Sequence, residues 1–139
     1  MEASETKSTV PAASVAIQPG KPLPTVVAVF EQMQITPYGD NLRRMVMEGV
    51  NRSEYEFELH LTELGPGEEP HPPHRHEHEE IVMLQKGTVD ATIEGKTTRL
   101  TPGSVAYVAS NEFHGWRNVG DVPSQYSSSR SNRKFSCTA

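Results

Sequence analysis

The stretch Glu54-Tyr55-Glu56-Phe57-Glu58-Leu59-His60-Leu61 sets an aromatic or aliphatic side chain at every odd position and a polar one at every even position. Successive side chains of a strand point to opposite faces, so this period of two predicts a half-buried β-strand; a helix would mix the two sets around its circumference. Downstream, short runs at 81–85, 88–93, 97–100 and 105–108 are divided by Lys86-Gly87, Glu94-Gly95-Lys96 and Pro102-Gly103, residue types that reverse a chain. Strands and turns at such even spacing predict an all-β domain, a small antiparallel barrel or sandwich.

Outward from this centre the pattern fades. Residues 1–24 hold Pro11, Pro19, Gly20, Pro22 and Pro24 among serines and threonines and read as a flexible N-terminal arm. Thr25 to Met33 is more apolar, with Val26, Val27, Val29 and Phe30, and fits an edge strand or a short helix covering the domain. After Tyr126 the sequence Ser-Ser-Ser-Arg-Ser-Asn-Arg-Lys has no alternation, so residues 127–139 read as a polar tail and the domain as 25–126. A chain of 139 residues suits one such domain with a single core.

With 13 basic against 18 acidic residues the formal net charge is −5, and the basic residues are scattered apart from Arg130, Arg133 and Lys134. Nucleic acid binding needs a concentrated cationic face, so it is excluded as an expected function. No apolar run approaches the ~20 residues of a membrane-spanning helix, and no membrane partner is expected. Cytoplasm is the default compartment, although the polar N-terminus equally fits a processed, exported form. The single cysteine, Cys137, can build neither an intramolecular disulfide nor a cysteine metal site.

Chemistry concentrates in Gly65–Glu80, where His71, His74, His76 and His78 fall within eight positions. In an extended segment His74 and His76 project from one face, so two imidazoles can converge on an ion at metal–nitrogen distances of about 2.0–2.1 Å. A short turn would let Glu80 swing back toward them, and His114 follows another strand.

The pattern His74-x-His76-x3-Glu80-x6-Gly87 resembles the first conserved motif of the cupin superfamily, G-x5-H-x-H-x3 or 4-E-x6-G. Downstream, Gly103-x5-Ala109-x-Asn111-x2-His114-x3-Asn118 has the spacing of the second, G-x5-P-x-G-x2-H-x3-N. The likeness departs at Gly67, one position early, and at Ala109 and Asn111, which stand for Pro and Gly; Asn tolerates a left-handed turn better than most residues. The resemblance implies a six- to eight-stranded antiparallel barrel in which His74, His76, Glu80 and His114 ligate one divalent transition metal: Mn, Fe, Ni, Co, Cu or Zn. It also implies a small-molecule ligand or substrate and a homodimer. The apolar strand that a cupin supplies near its C-terminus is missing here or supplied otherwise, and Val26 to Phe30, exchanged between subunits, could cover the exposed sheet edge.

Further roles follow from parity and position. Val82 and Leu84 share the face of Glu80, and Trp116 that of His114, as core packing or as a stacking platform for a substrate. His71 fits a hydrogen bond at the site mouth or ligation; His78 falls in a turn and reads as exposed; Glu79 would replace Glu80 if the turn shifts by one residue. Arg43 and Arg44 read as ordinary surface or strand positions. The string His76-Glu77-His78-Glu79-Glu80 lacks the second histidine of a helical H-E-x-x-H zinc motif. Two functional classes remain. One is an enzyme, dioxygenase-like or a metal-assisted isomerase or lyase acting on an oxygen-chelating substrate, with Glu80 as catalytic proton acceptor if its pKa is raised. The other is a non-catalytic cupin that binds a ligand or uses the ion structurally.

Overall fold

A computed structural model describes residues 20–133, so most of the expected N-terminal arm and the end of the polar tail lie outside the described residues. Nine strands follow one 3₁₀ turn at Phe30–Gln32: β1 (Ile35–Tyr38), β2 (Asn41–Val50), β3 (Tyr55–Leu64), β4 (Glu79–Lys86), β5 (Val89–Ile93), β6 (Lys96–Leu100), β7 (Val105–Val108), β8 (His114–Asn118) and β9 (Ser124–Arg133). They form a six-stranded sheet in the order β1-β2-β3-β9-β4-β7 and a three-stranded sheet in the order β6-β5-β8. All ladders are antiparallel. The chain is therefore a jelly-roll sandwich of two facing sheets, and these do not close into a single barrel.

The turns have local causes. Glu94 and Gly95 both take positive φ, 48° and 79°, between the paired residues Ile93 and Lys96, the geometry of a two-residue hairpin turn that follows strand twist. At Thr101-Pro102-Gly103-Ser104 the Ser104 amide donates to the Thr101 carbonyl at 2.9 Å, with proline's fixed φ at the second position and Gly103 at φ +93° at the third. Gly87, at φ +83°, could not be another residue without movement: a Cβ there would lie 2.8 Å from the Ser124 backbone.

Cross-strand partners share a face, so the register shows what lines the interior. One row runs Glu58, Arg130, Glu80; the next His60, Ser128, Val82; the next Thr62, Tyr126, Leu84. Toward the deep end these meet Val89, Ala91, Leu100 and Trp116 of the small sheet in one apolar core. The interior is thus graded, charged at one end and dry at the other.

Two expectations change. The polar half of the 54–61 alternation is the half that faces inward, with Glu58 in the row of Arg130 and His60 buried, while Phe57 and Leu61 share the outer face with their partners Gly49 and Arg44. That outer side is covered by the chain's own N-terminal segment: Leu23 lies against Gly49, Phe30 packs over the Arg44 guanidinium at 4.5 Å, and the Leu23 amide donates to the Val50 carbonyl. Within Thr25 to Met33, no strand forms, and the helix is a single 3₁₀ turn at Phe30–Gln32. Second, the segment read as a polar tail from 127 is strand as far as Arg133, and it is central, pairing with both β3 and β4. The terminal strand is not missing. It lacks apolar alternation because its outward side chains are all polar, Ser127, Ser129 and Ser131 among them, and its inward ones include Ser128 and Arg130, so backbone ladders on both sides hold it.

Candidate metal centre

His74 is not in a strand but in a single bridge: its amide donates to the His114 carbonyl at 3.0 Å and the His114 amide returns the bond at 2.8 Å. The Asn111 amide donates to the His76 carbonyl, and Asn111 takes the left-handed conformation, φ 64°, where the second motif would have Gly. Pro73 presses on Gly115, where a Cβ would meet the proline ring at 3.0 Å. Backbone pairing and proline packing therefore seat the two histidines over the start of β8. Asn118 completes the frame: its side-chain amide donates to the Leu64 and Val122 carbonyls and its carbonyl accepts from Gly120.

The three rings stand nearly edge to edge, with centroids 4.9 Å apart for His74 and His76, 5.0 Å for His74 and His114, and 4.8 Å for His76 and His114. Their candidate ligand atoms all lie within 4.8 Å of one another. The Nδ1–H groups of His76 and His114 donate to the carbonyls of His78 and Glu112, each at 2.8 Å, which leaves the Nε2 lone pairs facing inward. Glu80 opens β4 and is 2% exposed; its Oε1 lies 3.4 Å from Nε2 of both His76 and His114, and its Oε2 accepts the Ser128 hydroxyl at 2.8 Å.

Nε2 of His74, His76 and His114 and Oε1 of Glu80 are all buried without a hydrogen-bond partner among the described residues. Four orphaned lone-pair donors converging in one place would each carry a desolvation penalty, and a cation satisfies all four at once. The protonation states agree. Burial, reinforced by the neighbouring histidines, pulls His74 down to about 4, and burial lowers His76 as well, so both rings are neutral at pH 7. Burial also works against charge on His114, but the nearby Glu80 carboxylate and the Glu112 carbonyl together outweigh this and raise its pKa. Burial would raise Glu80, yet His114, Arg130 and Ser128 hold it down at about 2. Glu80 is therefore a permanent anion, and the raised pKa that would suit a proton acceptor is not found. The residues present fit a divalent metal.

The neighbouring residues separate cleanly. Glu79 turns to the outer side, where it accepts from the Tyr107 hydroxyl, so it does not take the place of Glu80. The His71 ring stacks on His74 with centroids 3.9 Å apart and is not one of the converging triad. His78 is 40% exposed, with Nε2 3.5 Å from Glu56. Trp116 is 2% exposed within the apolar core, its ring 5.6 Å from His114, which is packing rather than an open platform.

Three interior residues escaped the sequence reading. Arg43, taken as ordinary, reaches into the sandwich: its Nη2 donates to Glu58 Oε1 at 2.8 Å and lies 2.9 Å from His60 Nδ1, itself 3.1 Å from the same carboxylate oxygen. Arg130, taken as tail, sits between Glu58 and Glu80 with its Nε 3.5 Å from Glu80 Oε1. Only strand parity across β2, β3 and β9 could have found them. A cavity of about 180 Å³ opens beside Arg130 and is lined also by Glu48, Val50, Glu56, Glu58 and His78.

Comparison with known proteins agrees with this fold. Residues 60–128 match the family model described as "Cupin domain". Among solved structures, an RmlC-like cupin from Shewanella frigidimarina is 22% identical, with a TM-score of 0.63 over 74% of this chain and 86% of that one. A sugar phosphate isomerase of the cupin superfamily from Silicibacter pomeroyi is 15% identical, with a TM-score of 0.61 over 75% and 74% of the two chains. A salicylate 1,2-dioxygenase from Pseudaminobacter salicylatoxidans is 25% identical, with a TM-score of 0.50 over 53% of this chain and 21% of that one. A search of curated proteins finds no match for the sequence.

Proposed function

Because the chain belongs to the cupin superfamily, we propose that it is an enzyme holding one divalent transition metal on His74, His76, Glu80 and His114 and acting on a small oxygen-chelating substrate. The observation that carries this is the convergence of four buried, unpartnered donor atoms from separate parts of the chain. Mn, Fe, Co, Ni, Cu and Zn all accept such imidazole and carboxylate ligands. When bound, the ion supplies a positive charge that holds and polarises substrate oxygens, with open positions if its geometry is octahedral.

The protein's part is to prepare this place. The carbonyls of His78 and Glu112 fix the two imidazoles in the ligating tautomer, and Ser128 orients the carboxylate. The apolar core around Trp116 closes the deep end, which leaves the charged end of the interior, where Glu58, Arg130 and Glu80 stand in one row, as the side open to a substrate. Glu80, anionic throughout the physiological range, acts as a ligand and charge partner. Solved structures of similar fold include an isomerase and a dioxygenase, which supports these two reaction types.

The test is elemental analysis of the purified protein, then chelation and reloading with each metal under oxygen monitoring and substrate screening. Near-stoichiometric metal is expected, lost in His114→Ala and His74→Ala together with turnover. Unchanged metal content in both variants would overturn the reading. Metal retained without turnover in any screen would move the assignment to a ligand-binding cupin.

A further inference from the structure

Arg130 occupies an unusual electrostatic position. It lies in one row between Glu58 on β3 and Glu80 on β4, and each of these carboxylates has other business. Glu58 accepts from Arg43 at 2.8 Å and lies 3.1 Å from His60 Nδ1. Glu80 accepts from Ser128 and turns its free Oε1 toward His76 and His114. Although Arg130 Nε approaches that oxygen to 3.5 Å, it makes no hydrogen bond, and it is buried without a partner among the described residues. An arginine whose fork is pre-set for a carboxylate is thus held beside Glu80 with its Nε making no hydrogen bond, and it also lines a neighbouring cavity.

Resting on the metal reading above, we propose that Arg130 binds a carboxylate carried by the ligand beyond its metal-chelating oxygens, so that the molecule recognised is a small acid with a second anionic end. The charge balance favours this. Once an ion takes the negative charge of Glu80, the ion and Arg130 together present excess positive charge where these two side chains meet. Glu48, Glu56 and Glu58 line the cavity on the other side of Arg130; Glu56 lies 3.5 Å from His78, and Glu58 is paired with Arg43. These carboxylates repel an anion from that side, which places the ligand's carboxylate on the metal side of Arg130.

The experiment uses two probes on the full chain, 2-oxoglutarate and 2-oxopentanoate, which share a chelating 2-oxo acid end and differ in whether the far end is carboxylate or methyl. Calorimetry on metal-loaded protein should give at least about a tenfold preference for 2-oxoglutarate, the size expected of one charge-assisted contact. In Arg130→Gln, at equal metal content and with cooperative thermal unfolding retained, the two affinities should become equal. No preference in the unsubstituted protein, or a preference surviving in Arg130→Gln, would overturn the proposal. Should Arg130→Gln fail to fold, Arg130→Met is read by the same criterion. If the protein holds no metal, the metal reading fails and takes the proposal with it; metal bound at full content with no diacid preference overturns the role of Arg130 alone.

Discussion

Ser128 shows how much one small side chain can hold. It is fully buried, and its hydroxyl is the partner of Glu80 Oε2 at 2.8 Å, which leaves Oε1 pointing at the imidazoles. Ser128→Ala strands one oxygen of a buried carboxylate, a loss of about 1–3 kcal/mol in stability. Because a partner that orients a ligand matters to the ligand's grip, metal affinity should fall by roughly 10- to 100-fold in the same variant. Chemical denaturation and competitive metal titration measure the two; unchanged metal affinity would mean that β4 alone aims Glu80. Titration gives a second prediction, for metal-free protein. His74 has a folded pKa lowered from 6.5 to about 4, so the native state resists a proton that the unfolded chain accepts, and stability falls as pH drops from 6.5 toward 4. Glu80, lowered from 4.5 to about 2, contributes stability that is present above 4.5 and lost as pH falls from there toward 2. The melting temperature should therefore decline in two stages, and the upper stage should be weakened in His74→Ala.

At the scale of elements the decisive strand is β9. Every row of the interior passes through it, since Arg130, Ser128 and Tyr126 stand between β3 and β4 partners. A chain ending at Tyr126, the boundary suggested by composition, would lose most of that strand and leave β3 and β4 with unpaired facing edges. Circular dichroism and thermal scanning should show no cooperative unfolding for this truncation, whereas a chain ending at Arg133 should melt like the full chain. Gly87→Ala tests the adjoining turn: strain at φ +83° and a 2.8 Å approach to Ser124 should together cost on the order of 1–3 kcal/mol. Strands β3 to β7 were legible because apolar alternation or Gly and Pro punctuation marks each of them. β9 was not, because a strand held by ladders on both sides can use serine where it needs only small size. The four candidate ligands were readable as spacing along the chain, but Arg43, His60 and Arg130 come together only through register, which spacing does not encode.

Across the whole molecule, the candidate metal centre is also a joint. Glu80 belongs to the six-stranded sheet and His114 to the three-stranded sheet, while His74 and His76 lie on the connection leading from β3 into β4. No strand ladder joins the two sheets among the described residues. An ion shared by these residues would cross-link the sheets at their charged end, opposite the apolar core that joins them at the other. Binding to the folded state alone stabilises it by about 2.7 kcal/mol at a free-metal concentration 100 times Kd. For a domain of this size that corresponds to a rise in Tm on the order of 10 °C. The rise should depend on metal concentration, vanish with chelator, and be absent in His114→Ala, in which the three-stranded sheet loses its ligand. Hydrogen exchange locates the effect: metal should slow exchange of the His74 and His114 amides, which pair with each other at the joint, more than that of amides in the outer ladder between β1 and β2. Equal protection at both places, with the same Tm in the presence and absence of metal, would show that the sheets are held by apolar packing alone.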